Sequence, residues 1–485
     1  MNVIVVLIDT LRRDHLGPYG RPPLPTPAFD RLAAMGTTFD RCCLGSYPCM
    51  PARRDLWTGR YEFPHRGWGP LLPGDRDLPS VLSAAGVRTM LVTDHYHLFQ
   101  PGSGNYHFGF EGWEFIRGQE DDHWATADVP TPWPAERERK LHRRWERYWR
   151  NTADRRDGLL WRSAEDTFAA RTFAAAAHWL EANAGTAAPF FLLVDCFDPH
   201  EPFDPPAEFR RAAGAPDDAV PWPIYGRADR YTAEELTGIR ALYAGEVALV
   251  DDRLGRFLDV CEGLGRLRDT VILVTTDHGH LFGEHGMIGK PSASHGDSNL
   301  YRPLAHVPLL AYHPNGRGGV RSPALTQTVD LYPTVLEALG VAANHPVDGR
   351  SLLPLLGGRG GTDALRRVAC YGKFGEAIQV TDGELVLHQW PAGEANAPLH
   401  WYGAEPPAFL RPRGVGAPEP WPAPALARYP VDWVRGPCRT VLLDAAEDRD
   451  LAAERPGDVA RLQAELRRWL REVGAPAEQA ERLGL

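Results

Sequence analysis

Four short apolar runs, each followed within three residues by an acid, limit what this chain can fold into. They are residues 3–8, 90–92, 190–194 and 271–274. None alternates apolar with polar residues, which suits strands buried on both faces of a parallel sheet. Helical patterns separate them, among them FDRLAAMG, LPSVLSAAG, TFAARTFAAAAHWLEAN and LYAGEVALVDDRLGRFLDVCEGLG. This alternation predicts an α/β fold with a doubly wound, mostly parallel sheet. Sites in such sheets lie at the carboxyl ends of the strands. Here the first run meets Asp9. The second meets Thr93, Asp94, His95 and His97, the third Asp195, Asp198 and His200, and the fourth Thr275, Thr276, Asp277 and His278. One Asp after a strand commonly caps a helix; four such ends together point to one crevice.

Between the first two runs lies YPCMPARRDLWTGRY. Cys49, Pro51 and Arg53 form the pattern that formylglycine-generating machinery reads. Oxidised to formylglycine and hydrated, position 49 would carry a geminal diol. One oxygen would attack a sulfate or phosphate ester, and the other would expel the bound group by hemiacetal collapse. Pro51 fits the first position of a helix, which places Cys49 just before it, at the positive end of the helix dipole. Arg53 lies one turn on, able to hold the hydrated aldehyde or the anion by forked hydrogen bonds. Gly59 closes the helix. The bland alternative is a buried cysteine before an ordinary capped helix.

The formal net charge of −10 argues against binding to nucleic acid or to anionic membrane. It leaves room for a small anionic substrate in a locally positive site. The apolar run at the N-terminus ends at Asp9, too short for a signal peptide or a membrane span. Cys42, Cys43, Cys49, Cys196, Cys261, Cys370 and Cys438 are irregularly spaced and form no CxxC pair. Reduced thiols in a cytoplasmic protein are the simplest reading, with a disulfide among Cys42, Cys43 and Cys49 left open.

Residues 100–165 are rich in tryptophan and contain the charged helical pattern ERERKLHRRWERYWRNTADRRD. This insertion reads as an amphipathic helix packed on the domain, as a lid over the crevice, or as the subunit contact of a homo-oligomer. A Gly-rich joint near 357–366 divides a catalytic domain, residues 1–365, from a smaller α+β subdomain, residues 366–485. The latter has strand-like pieces at 384–390 and 440–443, a Pro-rich stretch at 406–430 and a closing helix in DVARLQAELRRWLREVG.

Asp9, Asp277 and His278, completed by the oxygen of modified Cys49, make a hard-to-borderline ligand set for one divalent cation. Calcium, magnesium and manganese all suit it. Lys290, on the loop FGEHGMIGKPS, suits a substrate oxygen or the leaving group. His200, between Pro199 and Pro202, can protonate the leaving oxygen. His97 is a second candidate, for hemiacetal breakdown or leaving-group contact. Each histidine alone reads equally well as structural.

With these residues in place, the chain resembles the type I, formylglycine-dependent sulfatases of the alkaline phosphatase-like superfamily. NVIVVLIDTLRRDHLGPYG is similar to the family's first strand and metal aspartate, CMPARRDLWTGRY to its signature, TDHG to its second metal pair and GEHGMIGK to its lysine loop. VDLYPTVLEALG, DGRSLLPLL and LLDAAEDRDLAAERP follow in the family's order. The resemblance implies metal ligation by Asp9, Asp277, His278 and modified Cys49. It assigns Arg53 to the formylglycine, and His97, His200 and Lys290 to substrate or acid/base work. It further implies an alkaline phosphatase-like fold, sulfate ester hydrolysis and dependence on a formylglycine-generating enzyme. Thr10 stands where many members have a second aspartate, and His95 where a lysine is common. Those departures are similar to phosphonate monoester and phosphodiester hydrolases of the same superfamily, the alternative activity. A non-catalytic anion-binding relative with an unmodified Cys49 is the remaining reading.

Overall fold

Alternate residues of the strand Asn2–Ile8 (β1) enter two different apolar cores. Val3, Val5 and Leu7 face one, and Ile4, Val6 and Ile8 face the other. A strand covered on both sides has no polar face to show, hence the unbroken apolar run. In the computed structural model, which describes residues 1–485 except 132, 134–137, 293–294, 296–298, 357–364, 404–418, 421–426, 433 and 435–437, β1 is central to an eight-stranded sheet.

The other strands of that sheet are Thr37–Cys43 (β2), Arg88–Thr93 (β3), Gly112–Phe115 (β4), Phe190–Cys196 (β5), Thr270–Thr275 (β6), Leu309–Tyr312 (β7) and Val320–Gln327 (β8). Their order is β8-β2-β7-β6-β1-β5-β3-β4. β7 runs antiparallel to both neighbours, and every other pairing is parallel. The four runs singled out from the sequence are thus the adjacent strands β6, β1, β5 and β3. Their carboxyl ends stand side by side, the place where an open α/β sheet builds its sites.

Helices cover both faces. Pro27–Met35 (α1), Phe168–Ala182 (α3) and Ala233–Gly263 (α4) pack on one side, and Cys49–Thr58 (α2) and Leu331–Ala338 (α5) on the other. α4 begins well before its apolar pattern because Thr232 and Glu235 form a capping box, which satisfies first-turn N–H groups.

A second sheet of five strands orders Thr440–Leu443, Val386–Gln389, Ile378–Thr381, Ala369–Lys373 and Ser46–Tyr47. Its last strand comes from the chain just ahead of Cys49 and runs parallel to Ala369–Lys373. Pro456–Glu472 (α6) closes this unit. Its Trp469 stacks on Phe63 with ring centroids 5.6 Å apart and planes at 8°. The Gly-rich joint at 357–366 and the Pro-rich stretch at 406–430 lie largely outside the described residues.

The long helix expected in ERERKLHRRWERYWRNTADRRD is corrected to Trp145–Thr152. Among the described residues ahead of it, the Leu141 N–H turns back to the Glu138 carbonyl at 3.0 Å, Leu141 bridges Pro223, and the His142 N–H donates to the Trp222 carbonyl at 2.9 Å. Trp133, Trp145, Trp149 and Trp161 are buried in the core, whereas Trp113 and Trp124 are exposed.

Candidate active site

The Ala52 N–H donates to the Pro48 carbonyl at 2.9 Å, so α2 starts at Cys49 itself, two residues ahead of the start at Pro51 that the sequence suggests. Pro51 stays harmless there, because first-turn N–H groups have no partner within the helix. Gly59 ends the helix in the left-handed region at φ 69°. Inside the helix, Asp55 accepts from the Ser46 N–H at 2.6 Å, the Ser46 hydroxyl at 2.7 Å and the Glu62 N–H at 2.9 Å. These bonds latch the strand before Cys49 to the helix that carries it.

Arg53 is wholly buried and joins three strand ends. Its Nε and Nη2 fork onto Asp195 at 3.0 and 2.7 Å. Its Nη1 lies 2.9 Å from Asp9 Oδ2 and 2.7 Å from Asp277 Oδ2, and 3.4 Å from the Cys49 carbonyl. A buried carboxylate without a partner would take up a proton. Burial pushes Asp9 upward, but Arg53 together with His200, His278 and Lys290 more than reverses this and holds it below the usual carboxylate range. Asp195 stays above that range, since burial there outweighs Arg53.

Asp9, Cys49, Asp277 and His278 offer ligand atoms that all lie within 4.8 Å of one another. His278 Nδ1 is 2.8 Å from the Gly279 carbonyl, which assigns its proton to Nδ1. That leaves the Nε2 lone pair, 3.2 Å from Cys49 Sγ, turned into the group. Such backbone orientation is how a metal-binding histidine is set. Asp9 Oδ2 is buried and receives no well-directed hydrogen bond, although Arg53 and His95 stand near it. Two carboxylates, one imidazole with a free lone pair and one orphaned oxygen fit a divalent cation. Thr10 braces the site. Its hydroxyl donates to Asp9 Oδ1 at 2.6 Å and its N–H to Asp277 Oδ1 at 3.1 Å. It does so at φ 60°, a conformation that costs a β-branched residue about 1–3 kcal/mol.

On the opposite wall, Lys290 Nζ is 2.5 Å from His200 Nε2 and 3.2 Å from Glu201 Oε2. His200 Nδ1 faces the Glu201 carbonyl at 2.8 Å. The proton therefore sits on Nδ1, and Nε2 accepts from the lysine. Burial, then Lys290, lowers His200 to about 4. Burial would lower Lys290 as well, but Glu201, followed by Tyr225, Cys49 and Asp9, raises it well above its ordinary value. The charge of this pair thus belongs to Lys290. Glu201 is buried and also pairs with His280.

His97 Nε2 pairs with Glu120 Oε2 at 2.7 Å, and Glu120 also pairs with Arg144. His95 Nε2 is 3.2 Å from Asp9 Oδ2. Burial, then Arg53, keeps this histidine neutral. The site opens into a pocket of about 380 Å³ whose walls include Cys49, His97, His200 and Lys290, with Tyr225 and Lys373 beside them. Segment 100–165 contributes Gln100, Pro101, Glu120, Asp121, Arg143 and Arg144 to its rim.

The structure therefore gathers Asp9, Cys49, Arg53, Asp277 and His278 at one centre, with His97, His200 and Lys290 on the pocket wall above it. Asp94 and Asp198 serve elsewhere. Asp94 accepts from the Phe197 N–H at 2.8 Å, and Asp198 takes the Gln119 amide and the Ala169 N–H at the start of α3. Asp195, Glu201 and Glu120 were not in the sequence-derived site. Asp195 had a signal in its place at a strand end and Glu201 in its position beside His200; Glu120 had none.

A protein-family description headed Sulfatase matches residues 1–341. A multifunctional alkaline phosphatase superfamily protein of Trinickia caryophylli is 26% identical over 430 residues, covering 73% of this chain and 77% of its own length. The structure of the phosphonate monoester hydrolase of Agrobacterium radiobacter aligns with a TM-score of 0.70 at 20% identity, over 97% of this chain and 96% of that one. A protein solved with its substrate D-glucosamine-2-N,6-O-disulfate aligns with a TM-score of 0.68 at 18% identity, over 98% and 99% of the two chains. These structures share the alkaline phosphatase-like fold.

Proposed function

The chain belongs to the sulfatase family, a family of sulfuric ester hydrolases, and on that premise we propose that it cleaves sulfate esters with position 49 oxidised to formylglycine and one divalent cation held by Asp9, Asp277, His278 and the modified residue. The observation that supports this most is the meeting of those four ligand atoms, within 4.8 Å, from three separate parts of the chain. Hydrated position 49 supplies the attacking oxygen and a second hydroxyl that releases the bound anion. A bound cation supplies polarisation of the ester oxygen and a lower pKa for the attacking hydroxyl.

The remaining work belongs to fixed side chains. Arg53 and the cations around it keep Asp9 ionised in a dry interior; Arg53 also pairs with Asp277, and its fork on Asp195 holds it in register. Lys290 carries the proton at Nζ, facing the pocket, where it can meet a leaving oxygen. His200 Nε2 holds that lysine in place and can take a proton back. His97, pinned by Glu120, lines the route of the leaving group. Lys373 and Arg143 add positive charge toward the mouth.

A second reading, hydrolysis of phosphodiesters or phosphonate monoesters, is favoured by His95. It is neutral where a lysine would add positive charge, so the centre suits an ester with one negative charge rather than two. Sulfate monoesters, phosphodiesters and phosphonate monoesters all meet that condition. Rates with 4-nitrophenyl sulfate, bis(4-nitrophenyl) phosphate, 4-nitrophenyl phenylphosphonate and 4-nitrophenyl phosphate separate the readings. We expect the highest kcat/KM for the sulfate, lower values for the next two and the lowest for the dianionic phosphate. A preference for the dianion would overturn the assignment. No turnover of any ester by protein modified at position 49 would make the chain an anion-binding relative.

Cys49 is buried within α2, so the formylglycine-generating enzyme has to read it before the chain closes. Cysteines that form no disulfide suit a reducing cytoplasm, where we place the protein. Among the described residues no helix is long and apolar enough to cross a membrane.

A further inference from the structure

Four large apolar side chains are exposed among the described residues, and three of them lie on one stretch of chain, residues 108–124. Phe108 is 72%, Trp113 47% and Trp124 56% exposed; the fourth is Met1. They belong to one continuous aromatic surface. Trp113 meets His107 at 4.8 Å and Phe99 at 5.6 Å, and His107 meets Phe108 at 4.1 Å. Phe99 stacks on Phe115 at 4.1 Å and 11°. The Arg117 guanidinium covers both Phe115 at 5.2 Å and Trp124 at 5.1 Å. Gln100 and Pro101, next in the chain after Phe99, and Glu120 and Asp121, between Arg117 and Trp124, line the pocket above Cys49, so the patch and the site are built from one stretch of chain.

Two features define what fits it. The rings sit on and around β4, an edge strand that among the described residues pairs only with β3. Its outer margin presents free backbone N–H and C=O groups beside the aromatic faces. The cation at this surface, Arg117, is already matched by Asp122 through bonds of 2.7 and 2.8 Å, so it offers no unmatched charge to an anion. Flat apolar faces next to unpaired donors and acceptors suit a neutral, polyhydroxylated ring, which has both C–H faces and hydroxyls.

We propose that Phe108, Trp113 and Trp124 form a saccharide platform that holds neutral sugar units attached to the ester reacting at position 49. This rests on the sulfatase reading and deepens it: the substrate is an oligosaccharide with an isolated sulfate and uncharged neighbouring units.

The test compares a trisaccharide bearing one terminal sulfate, the matching monosaccharide sulfate and 4-nitrophenyl sulfate, in wild type, Trp113→Ala and Trp124→Ala. Wild type should favour the trisaccharide over the monosaccharide by about tenfold, through KM, the scale of one aromatic contact. Each variant should lose that preference while keeping its rate on 4-nitrophenyl sulfate. Binding of uncharged chitohexaose and xylohexaose, read as quenching of tryptophan fluorescence, needs no turnover and should weaken in the same variants. If 4-nitrophenyl sulfate is not cleaved, the assignment at position 49 fails while the quenching still reports on the platform. No preference in wild type, a preference kept in both variants, or no quenching by either hexasaccharide overturns the platform. So does a change in particle mass on Trp113→Ala with the preference intact, which would give the face to a second copy of the chain.

Discussion

At position 53 a guanidinium stands among three buried carboxylates, and that arrangement decides what the centre can hold. The cysteine–proline–arginine order made position 53 legible in the sequence, since a residue four along a helix returns to the same side. Its acid partners were legible only one at a time, because nothing in a linear chain says that the ends of β1, β5 and β6 meet at one arginine. Arg53→Ala leaves Asp9, Asp195 and Asp277 without their counter-charge. Urea unfolding should show a loss of about 3–5 kcal/mol, the scale of a broken buried ion pair. Added manganese should restore part of it by supplying positive charge at the same oxygens. A loss under about 1 kcal/mol would mean that the acids are protonated in the native state.

The elements around Cys49 are set by short-range chemistry that the sequence shows in part. α2 ends at Gly59, whose positive φ was implied by its place after DLWT. Its second constraint, the Tyr332 ring 2.7 Å from where a Cβ would stand, came from α5 and had no local sign. Gly59→Ala combines both and should lower stability by about 2 kcal/mol or more; an unchanged melting curve would refute the clash. The loop after β5 carries the less legible device. His200 stood out as a candidate acid, yet its Nε2 accepts and Lys290 holds the proton, an assignment made by Glu201. Glu201→Gln removes the largest influence that raises Lys290. The lysine then loses its proton at lower pH, so the alkaline limb of kcat should move to lower pH and kcat should fall. A profile superimposable on wild type would leave Glu201 a purely structural role.

Across the whole molecule, the sheet was legible because burial on both faces writes unbroken apolar runs into the sequence, and its strand order was not, because order depends on contacts hundreds of residues apart. The insertion at 100–165 was legible in composition only. Its charged stretch reads as one long helix, but pairing of Leu141 and His142 with residues 222–223 overrides helix propensity there. The two sheets share more than a joint. Ser46–Tyr47 is a strand of the second sheet, and Tyr61, Phe63 and Val329 complete its core. A chain cut to residues 1–365 should therefore fail to fold cooperatively, with near-UV circular dichroism lost; a sharp melting transition for that fragment would show that the units are independent.

The mass of the tryptic peptide 42–53, from protein made with the modifying enzyme and measured beside turnover of 4-nitrophenyl sulfate, tests the nucleophile most directly. Conversion of Cys49 to formylglycine predicts a loss of about 18 Da from that peptide, with turnover proportional to the converted fraction. Full turnover by protein whose peptide keeps the unmodified thiol mass would contradict the proposed nucleophile.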